Sequence, residues 1–180
     1  MPRNENSGDL RRNIMRTVIC PGSFDPVTLG HVDIIKRAAN TFDKVIVAVF
    51  VNKAKTPCFS IEERIHFLNE VVGDLENVEV VSCEGLLADY ARERNATAVV
   101  KGLRAVSDFE YEFQMALTNK MLNPELETIF FTSRAENMYL SSSIVKNVAS
   151  FGGNIRDFVP ECIHDEIRDR LCGGGKNNEG

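Results

Sequence analysis

Cys20-Pro21-Gly22-Ser23-Phe24-Asp25-Pro26-Val27-Thr28-Leu29-Gly30-His31 is the stretch whose reading decides the fold. The apolar run Thr17-Val18-Ile19-Cys20 leads into it and reads as a buried strand. Val32, Ile35, Ala38, Ala39 and Phe42 follow it at the spacing of one helix face. The stretch is therefore a strand-to-helix turn, and Pro21, Gly22 and Pro26 suit a sharp one. Gly30-His31 falls at the helix N-terminus, where unpaired N–H groups and the helix dipole favour an anion. A serine, a glycine and a histidine are offered there together, as a phosphate site requires.

Working outward, strand and helix patterns alternate. Val45-Ile46-Val47-Ala48-Val49-Phe50-Val51 is a continuous β-branched run, the composition of a parallel strand covered on both faces. Ser60 to Glu63 matches a capping box ahead of the stripe Ile61, Ile65, Leu68 and Val72. Val78 to Cys83 reads as a third strand, Leu86 to Arg94 as a helix, and Ala98-Val99-Val100 as a short fourth strand that Lys101-Gly102-Leu103-Arg104 leaves. Ser107 to Glu110 resembles a second capping box, opening a helix through Phe109, Phe113, Ala116, Leu117 and Met121. Thr128 to Phe131 is the fifth strand. Ser141-Ser142-Ser143 opens a further helix, and Pro160 begins the last.

This pattern predicts an α/β fold with a doubly wound, five-stranded parallel sheet and helices on both faces. One domain is expected over residues 15–172. Residues 1–14 are expected to be a disordered leader, with Met15 a candidate functional start, and residues 173–180 a disordered tail. In such a sheet ligands bind beyond the C-terminal strand ends, at the switch point. The candidate groups fall there by sequence. Ser23 to His31 follow the first strand, Lys53 and Lys55 the second, and Gly85 to Leu87 the third. Lys101 to Arg104 follow the fourth strand, and residues 132–143 the fifth.

Composition narrows the function. The chain has 180 residues and a formal net charge of −5, which argues against a general nucleic-acid binder but not against a small anionic ligand. No apolar run reaches membrane-spanning length, so no membrane partner is expected. Cys20, Cys58, Cys83, Cys162 and Cys172 are an odd count without close pairs, read as free thiols in a reducing cytoplasm. No dinucleotide fingerprint, P-loop, nucleophile elbow or histidine metal spacing occurs, so no protein metal ligands are assigned. What remains is a set of phosphate-directed groups.

Thr28-Leu29-Gly30-His31 is close to the His-x-Gly-His signature of the nucleotidyltransferase superfamily, with threonine replacing the first histidine. The turn 21–26 with Gly30-His31, then Lys101-Gly102-Leu103-Arg104, then Asp108-Phe109-Glu110-Tyr111-Glu112, then Ser141-Ser142-Ser143, occur in that order. Together they resemble bacterial phosphopantetheine adenylyltransferase over roughly residues 16–171. The resemblance implies reversible transfer of the adenylyl group of ATP to 4′-phosphopantetheine. It implies that Ser23 and Phe24 contact ATP, with Ser23 also near the pantetheine phosphate. His31 would hold the triphosphate and stabilise the transition state, and Lys55 would contact the attacking phosphate. Leu87 and Lys101 would bind phosphopantetheine, while Gly102, Leu103, Arg104 and Glu112 would bind ATP. Asn137, Met138, Tyr139, Leu140, Ser141, Ser142 and Ser143 would close over the nucleotide. His31, Lys55 and Arg104 are the expected catalytic groups, with Mg²⁺ accompanying ATP and a homohexamer as the assembly. Many family members carry arginine where this chain has Lys101, so the bidentate fork is lost there.

Two alternatives stand beside this reading. One is transfer of an adenylyl or cytidylyl group to another acceptor, such as nicotinate mononucleotide or an alcohol phosphate. The other is a non-catalytic nucleotide-binding regulator. His66 and His164 are expected at solvated helix positions, and Phe109, Tyr111 and Phe113 in the core or a subunit interface.

Overall fold

The computed structural model describes residues 15–51 and 56–173. Lys53 and Lys55, and the leader and all but the first residue of the tail expected above, lie outside the described residues. The first strand, β1 (Thr17–Gly22), runs through the opening turn into helix α1 (Leu29–Thr41). There follow β2 (Lys44–Phe50), α2 (Ile61–Val72), β3 (Val78–Cys83), α3 (Leu87–Glu93), β4 (Ala98–Leu103) and α4 (Val106–Leu122). β5 (Glu127–Thr132) leads through a 3₁₀ turn at Ala135–Asn137 to α5 (Ser142–Ser150) and α6 (Glu161–Gly173). The last helix reaches one residue past the expected boundary at 172.

The strands form one parallel sheet in the order β3-β2-β1-β4-β5, so the direction of winding reverses between β1 and β4. β1 pairs with β2 over its whole length, Thr17 against Lys44 to Gly22 against Val49. It pairs with β4 only at Val18–Ala98 and Ile19–Val99. β4 stays paired with β5 through Leu103–Thr132. The sheet thus opens above Ile19 at the switch point, and Pro21 has no N–H with which to continue a ladder there.

Alternate strand residues face opposite layers. Val18, Cys20, Val45, Val47, Val49, Ala98 and Val100 pack with Ile34, Ile35 and Ala38 of α1, Phe67 and Leu68 of α2, Val145 of α5, and Ile163 and Ile167 of α6. Ile19, Ile46, Ala48, Cys83 and Val99 pack on the other face with Ala91, Ala96 and Leu126. Both faces are covered, which explains why β2 reads as an unbroken apolar run rather than an alternating one.

The structure corrects four sequence expectations. Ser107 to Glu110 is not a capping box. α4 starts at Val106 behind Ala105, with no side-chain cap, and the Asp108 carboxylate is drawn instead to Arg104. β4 is longer than expected, because pairing with β5 continues through Lys101, Gly102 and Leu103. His164 is buried, its Nδ1 2.9 Å from Asp165 Oδ1. Finally, Phe109, Tyr111 and Phe113 are not core in the single chain. Only Asn119 of the seventeen residues of α4 is buried.

Candidate active site

The opening between β1 and β4 is a cavity of about 520 Å³. Its floor is Cys20, Pro21 and Gly22 from β1 and Val100, Lys101 and Gly102 from β4. α1 supplies Gly30, His31, Ile34 and Ile35, and the start of α4 supplies Ser107, Asp108, Tyr111 and Glu112. Ser23, Phe24 and Thr28 line it from the turn, and Ser133, Asn137 and Leu140 to Ser143 from the segment after β5.

The first wall is built by Thr28. It is the N-cap of α1, and its hydroxyl accepts from His31 N at 3.3 Å. In return the Thr28 backbone N–H donates to His31 Nδ1 at 3.0 Å. This is a reciprocal capping box in which an imidazole takes the place of the usual glutamate. Phe24 packs edge-on against the imidazole, with ring centroids 5.1 Å apart. Phe24 itself sits at φ 47°, in the left-handed region that a bulky residue seldom occupies. Burial, and then the charges of Arg104 and Lys101, push the His31 pKa down to about 4. His31 is thus a neutral ring at ordinary pH, with two cations beside it.

The turn is fixed from below by two buried charges. Asp25 accepts from Phe59 N at 2.9 Å and Cys58 N at 3.0 Å, and pairs with Lys146 Nζ at 2.8 Å. Burial works to raise the Asp25 carboxyl. Lys146 and the two backbone donors overcome it and hold the group below the usual carboxylate range. Arg64 is buried, and its Nη1 donates to Ser23 O at 2.9 Å. The turn is therefore tied to the start of α2 and to α5. Sequence reading assigned Asp25 and Arg64 no role. A carboxylate between an aromatic residue and a proline, in a turn, was the available signal.

The opposite wall carries two cations, each with a carboxylate from α4. Arg104 Nε and Nη2 donate to Asp108 at 2.9 and 3.1 Å, and Arg104 Nη1 donates to Leu140 O at 2.7 Å. Lys101 Nζ lies 3.0 Å from Glu112 Oε1. Asp108 and Glu112 are four residues apart on one helix and so present both carboxylates to the same side. Ser141 caps α5 by accepting from Ile144 N at 3.1 Å, and Ser142 Oγ donates to Pro26 O at 2.8 Å. The serine-rich helix start thereby meets the first turn across the cavity.

Most of the sequence candidates converge here. Ser23, Phe24, His31, Lys101, Gly102, Arg104, Glu112, Asn137, Leu140, Ser141, Ser142 and Ser143 share the cavity. Leu103, Met138 and Tyr139 are not among its lining. Leu87 opens α3 and packs against the Ile19 cluster on the far face. Lys55 lies outside the described residues. Cys20 lines the floor, but burial pushes its thiol up to about 12, so it is no thiolate nucleophile. Among the described residues no three His, Cys, Asp or Glu side chains are grouped to hold a metal ion. No described helix is long and apolar enough to cross a membrane.

An arrangement of backbone N–H groups, hydroxyls, two guanidinium or ammonium cations and a neutral imidazole suits polyphosphate better than proton abstraction. The cytidylyltransferase-like family model matches residues 19–148. Two solved adenylyltransferases share the fold. A Vibrio parahaemolyticus protein assigned as a nicotinate-nucleotide adenylyltransferase superposes with a TM-score of 0.65 at 17% identity, covering 88% of this chain and 95% of its own. The Plasmodium falciparum nicotinic acid mononucleotide adenylyltransferase, complexed with NaAD, gives 0.63 at 14% identity over 85% and 94%. At the sequence level the relatives are much nearer. The phosphopantetheine adenylyltransferase of Caldanaerobacter subterraneus is 59% identical over 87% of this chain and 98% of its own length. That of Clostridium tetani is 54% identical over 91% and 99%. With such identity along nearly the whole length of these relatives, the chain belongs to the phosphopantetheine adenylyltransferase family.

Proposed function

We propose that this chain transfers the adenylyl group of ATP to 4′-phosphopantetheine, giving dephospho-coenzyme A and pyrophosphate, a late step of coenzyme A synthesis. The observation that carries the reading is the neutral His31 at the N-terminus of α1, facing the Lys101 and Arg104 wall across the β1/β4 opening.

An oxygen of the acceptor phosphate attacks the α-phosphorus of ATP. The bond to the α–β bridging oxygen breaks and pyrophosphate leaves in line. The attacking phosphate is already ionised near neutral pH, so no general base is needed. The residues solve an electrostatic and positional problem instead. His31 donates from Nε2 to the triphosphate, and Arg104 exchanges Asp108 for phosphate oxygens. The 137–143 segment closes over the base and ribose, with Ser23, Phe24, Gly102, Leu103 and Glu112 completing the ATP site. Lys55 and Lys101 serve the acceptor phosphate, and Leu87, which packs outside the cavity against the Ile19 cluster, is left to the apolar pantetheine arm by the family resemblance alone. Mg²⁺ accompanying ATP would supply further positive charge to the phosphates, and among the described residues no group of carboxylates, histidines or cysteines would hold it in place of the nucleotide.

We further propose a homohexamer, in the cytoplasm. Support comes from α4, whose Val106, Phe109, Phe113, Leu117 and Met121 are all exposed in the single chain. Pyrophosphate release with ATP, comparing phosphopantetheine, nicotinate mononucleotide and glycerol 3-phosphate, tests the reaction. Turnover with phosphopantetheine alone is expected. No turnover with it overturns the reading. Inversion at a chiral α-phosphorothioate is expected for in-line attack, and retention would exclude it.

A further inference from the structure

We propose that Asp33 and Arg134 form a latch that positions the nucleotide cover, which makes Asp33 a positioning residue for ATP. The inference rests on the adenylyl-transfer reading above and assigns a task to a carboxylate that this reading leaves unused.

Asp33 follows His31 on α1, with its side chain only 11% exposed. Its Oδ1 lies 2.8 Å from Arg134 Nε, and its Oδ2 accepts from Arg37 Nη1 at 3.2 Å. Arg37 is itself fixed. The same Nη1 donates to Thr132 O at 2.8 Å, and its guanidinium lies 5.0 Å from the centre of the Phe131 ring. Asp33 is therefore held in place before Arg134 reaches it. Arg134 immediately precedes the 3₁₀ turn Ala135–Asn137, from which the cover continues to Ser143.

The cover needs such a tie. Upstream, Ser133 N donates to Leu103 O at 2.8 Å. Downstream, Leu140 O accepts from Arg104, and Ser142 Oγ reaches Pro26 O. Between these anchors the backbone bonds are local, Asn137 N to Arg134 O and Leu140 N to Asn137 O. Among the described residues, Arg134–Asp33 is the one polar bond that ties 134–139 to a distant part of the chain. Asn137 also sits directly over α1, since a Cβ at Gly30 would lie 3.7 Å from Asn137 Cβ. One helix thus carries His31 facing the cavity and, within the next turn, the carboxylate that sets how the cover lies above it.

The latch touches no reacting atom. Its loss leaves the cover to be ordered by the nucleotide, so the cost falls on ATP binding and not on the chemical step. Steady-state kinetics on the full chain test this with Arg134→Lys, Arg134→Ala, Arg134→Glu and Asp33→Asn, and with the Asp33→Asn/Arg134→Ala double variant. KM for ATP is expected to rise about three- to fivefold in Arg134→Ala and Asp33→Asn, the size of a partly exposed ion pair. It should rise further in Arg134→Glu and stay near wild type in Arg134→Lys. The double variant should be no worse than the singles, with kcat and the phosphopantetheine KM within about twofold of wild type. Amide exchange over 133–141 in the ligand-free protein should quicken in both alanine and asparagine variants, a readout independent of turnover.

An unchanged ATP KM in Asp33→Asn, with Arg134→Ala impaired, would mean that Arg134 meets the nucleotide directly and would overturn the latch. So would unchanged exchange over 133–141, or an equal fall in kcat. A wild-type chain that does not turn over ATP with phosphopantetheine would refute the underlying reading instead, and the exchange result would still judge the latch.

Discussion

The Thr28 N–H donates to His31 Nδ1 at 3.0 Å, so this ring nitrogen is an acceptor and the proton of the neutral imidazole is on Nε2. Protonating Nδ1 would set one N–H against another. That local conflict acts in the same direction as burial and the Arg104 and Lys101 charges, which push the pKa down to about 4. In the proposed reaction His31 would act as a neutral donor whose bond strengthens as charge builds on the leaving phosphate. His31→Ala should lower kcat by about 10²- to 10³-fold, with a much smaller change in ATP affinity. His31→Gln or His31→Asn, which retain an amide donor, should recover part of the loss. An equal loss of binding and turnover would contradict a role specific to the transition state.

The same shift predicts a pH dependence of stability. The unfolded chain protonates this histidine near pH 6.5, the folded chain only near 4. Between those values the unfolded state binds more protons, so stability falls as pH drops through the window. The urea midpoint of His31→Gln should therefore decline less between pH 6.5 and 4 than that of wild type. Parallel curves would show that the ring is not held neutral.

How far the sequence reached depended on the kind of signal. β2 was legible because a strand covered on both faces must be apolar throughout, and α2 because Ser60 and Glu63 form the capping box they announce. The position of the cavity followed from chain order, since phosphate-directed residues follow the first, fourth and fifth strands, whose ends line it. The false box at Ser107 was equally well formed locally. There Arg104, four residues earlier, took the carboxylate at Asp108 that the pattern ignored, and α4 began at Val106, ahead of Ser107. His164 failed for a related reason, because its helix carries few apolar residues and burial there is set by packing against α2 and α5. Asp25 and Arg64 were silent, since their partners lie far away in sequence.

Asp25 and Lys146, 121 residues apart, join the first turn to α5. Asp25→Ala removes the carboxylate from two backbone N–H groups and strands a lysine ammonium. A loss of about 2–4 kcal/mol is expected in urea unfolding, and Lys146→Met should cost less. Because the Asp25 carboxyl is held below its ordinary range, its contribution is present at neutral pH. It is lost only as pH falls below about 4, through the folded pKa. Asp25→Asn should flatten the acid end of the stability curve and leave its shape above pH 5 unchanged. A variant that unfolds like wild type would show that the turn needs no such anchor.

Gly22 sets how closely the β1 end approaches the Phe24 ring. A Cβ there would stand 2.9 Å from two ring carbons of Phe24, too close for either to stay in place. Phe24 is 4% exposed and packs edge-on to His31, so the displacement passes to the imidazole. Gly22→Ala should lower kcat more than tenfold, as small misplacements at a reacting centre do, while the cavity still binds ATP. Normal kcat would show that the ring yields without moving His31.

α4 offers the last test. Phe109 stacks on Phe113 with centroids 5.5 Å apart and meets Phe130 edge-on at 5.9 Å. Phe113 nonetheless remains 46% exposed, and Leu117 and Met121 beyond it 56% and 84%. A run of this size along one helix is more than scattered surface apolarity. If a second copy of the chain covers it, a charge placed in its middle must be desolvated in the assembly but not in the monomer. Phe113→Glu should thus leave single-chain unfolding nearly unchanged, within about 1 kcal/mol, while light scattering shows a smaller particle than wild type. Because α4 also carries Asp108 and Glu112 into the cavity, the dissociated variant should show a raised KM for ATP at low protein concentration. A wild-type chain that scatters as a monomer at working concentration would remove the hexamer from the proposal and leave the cavity chemistry as argued.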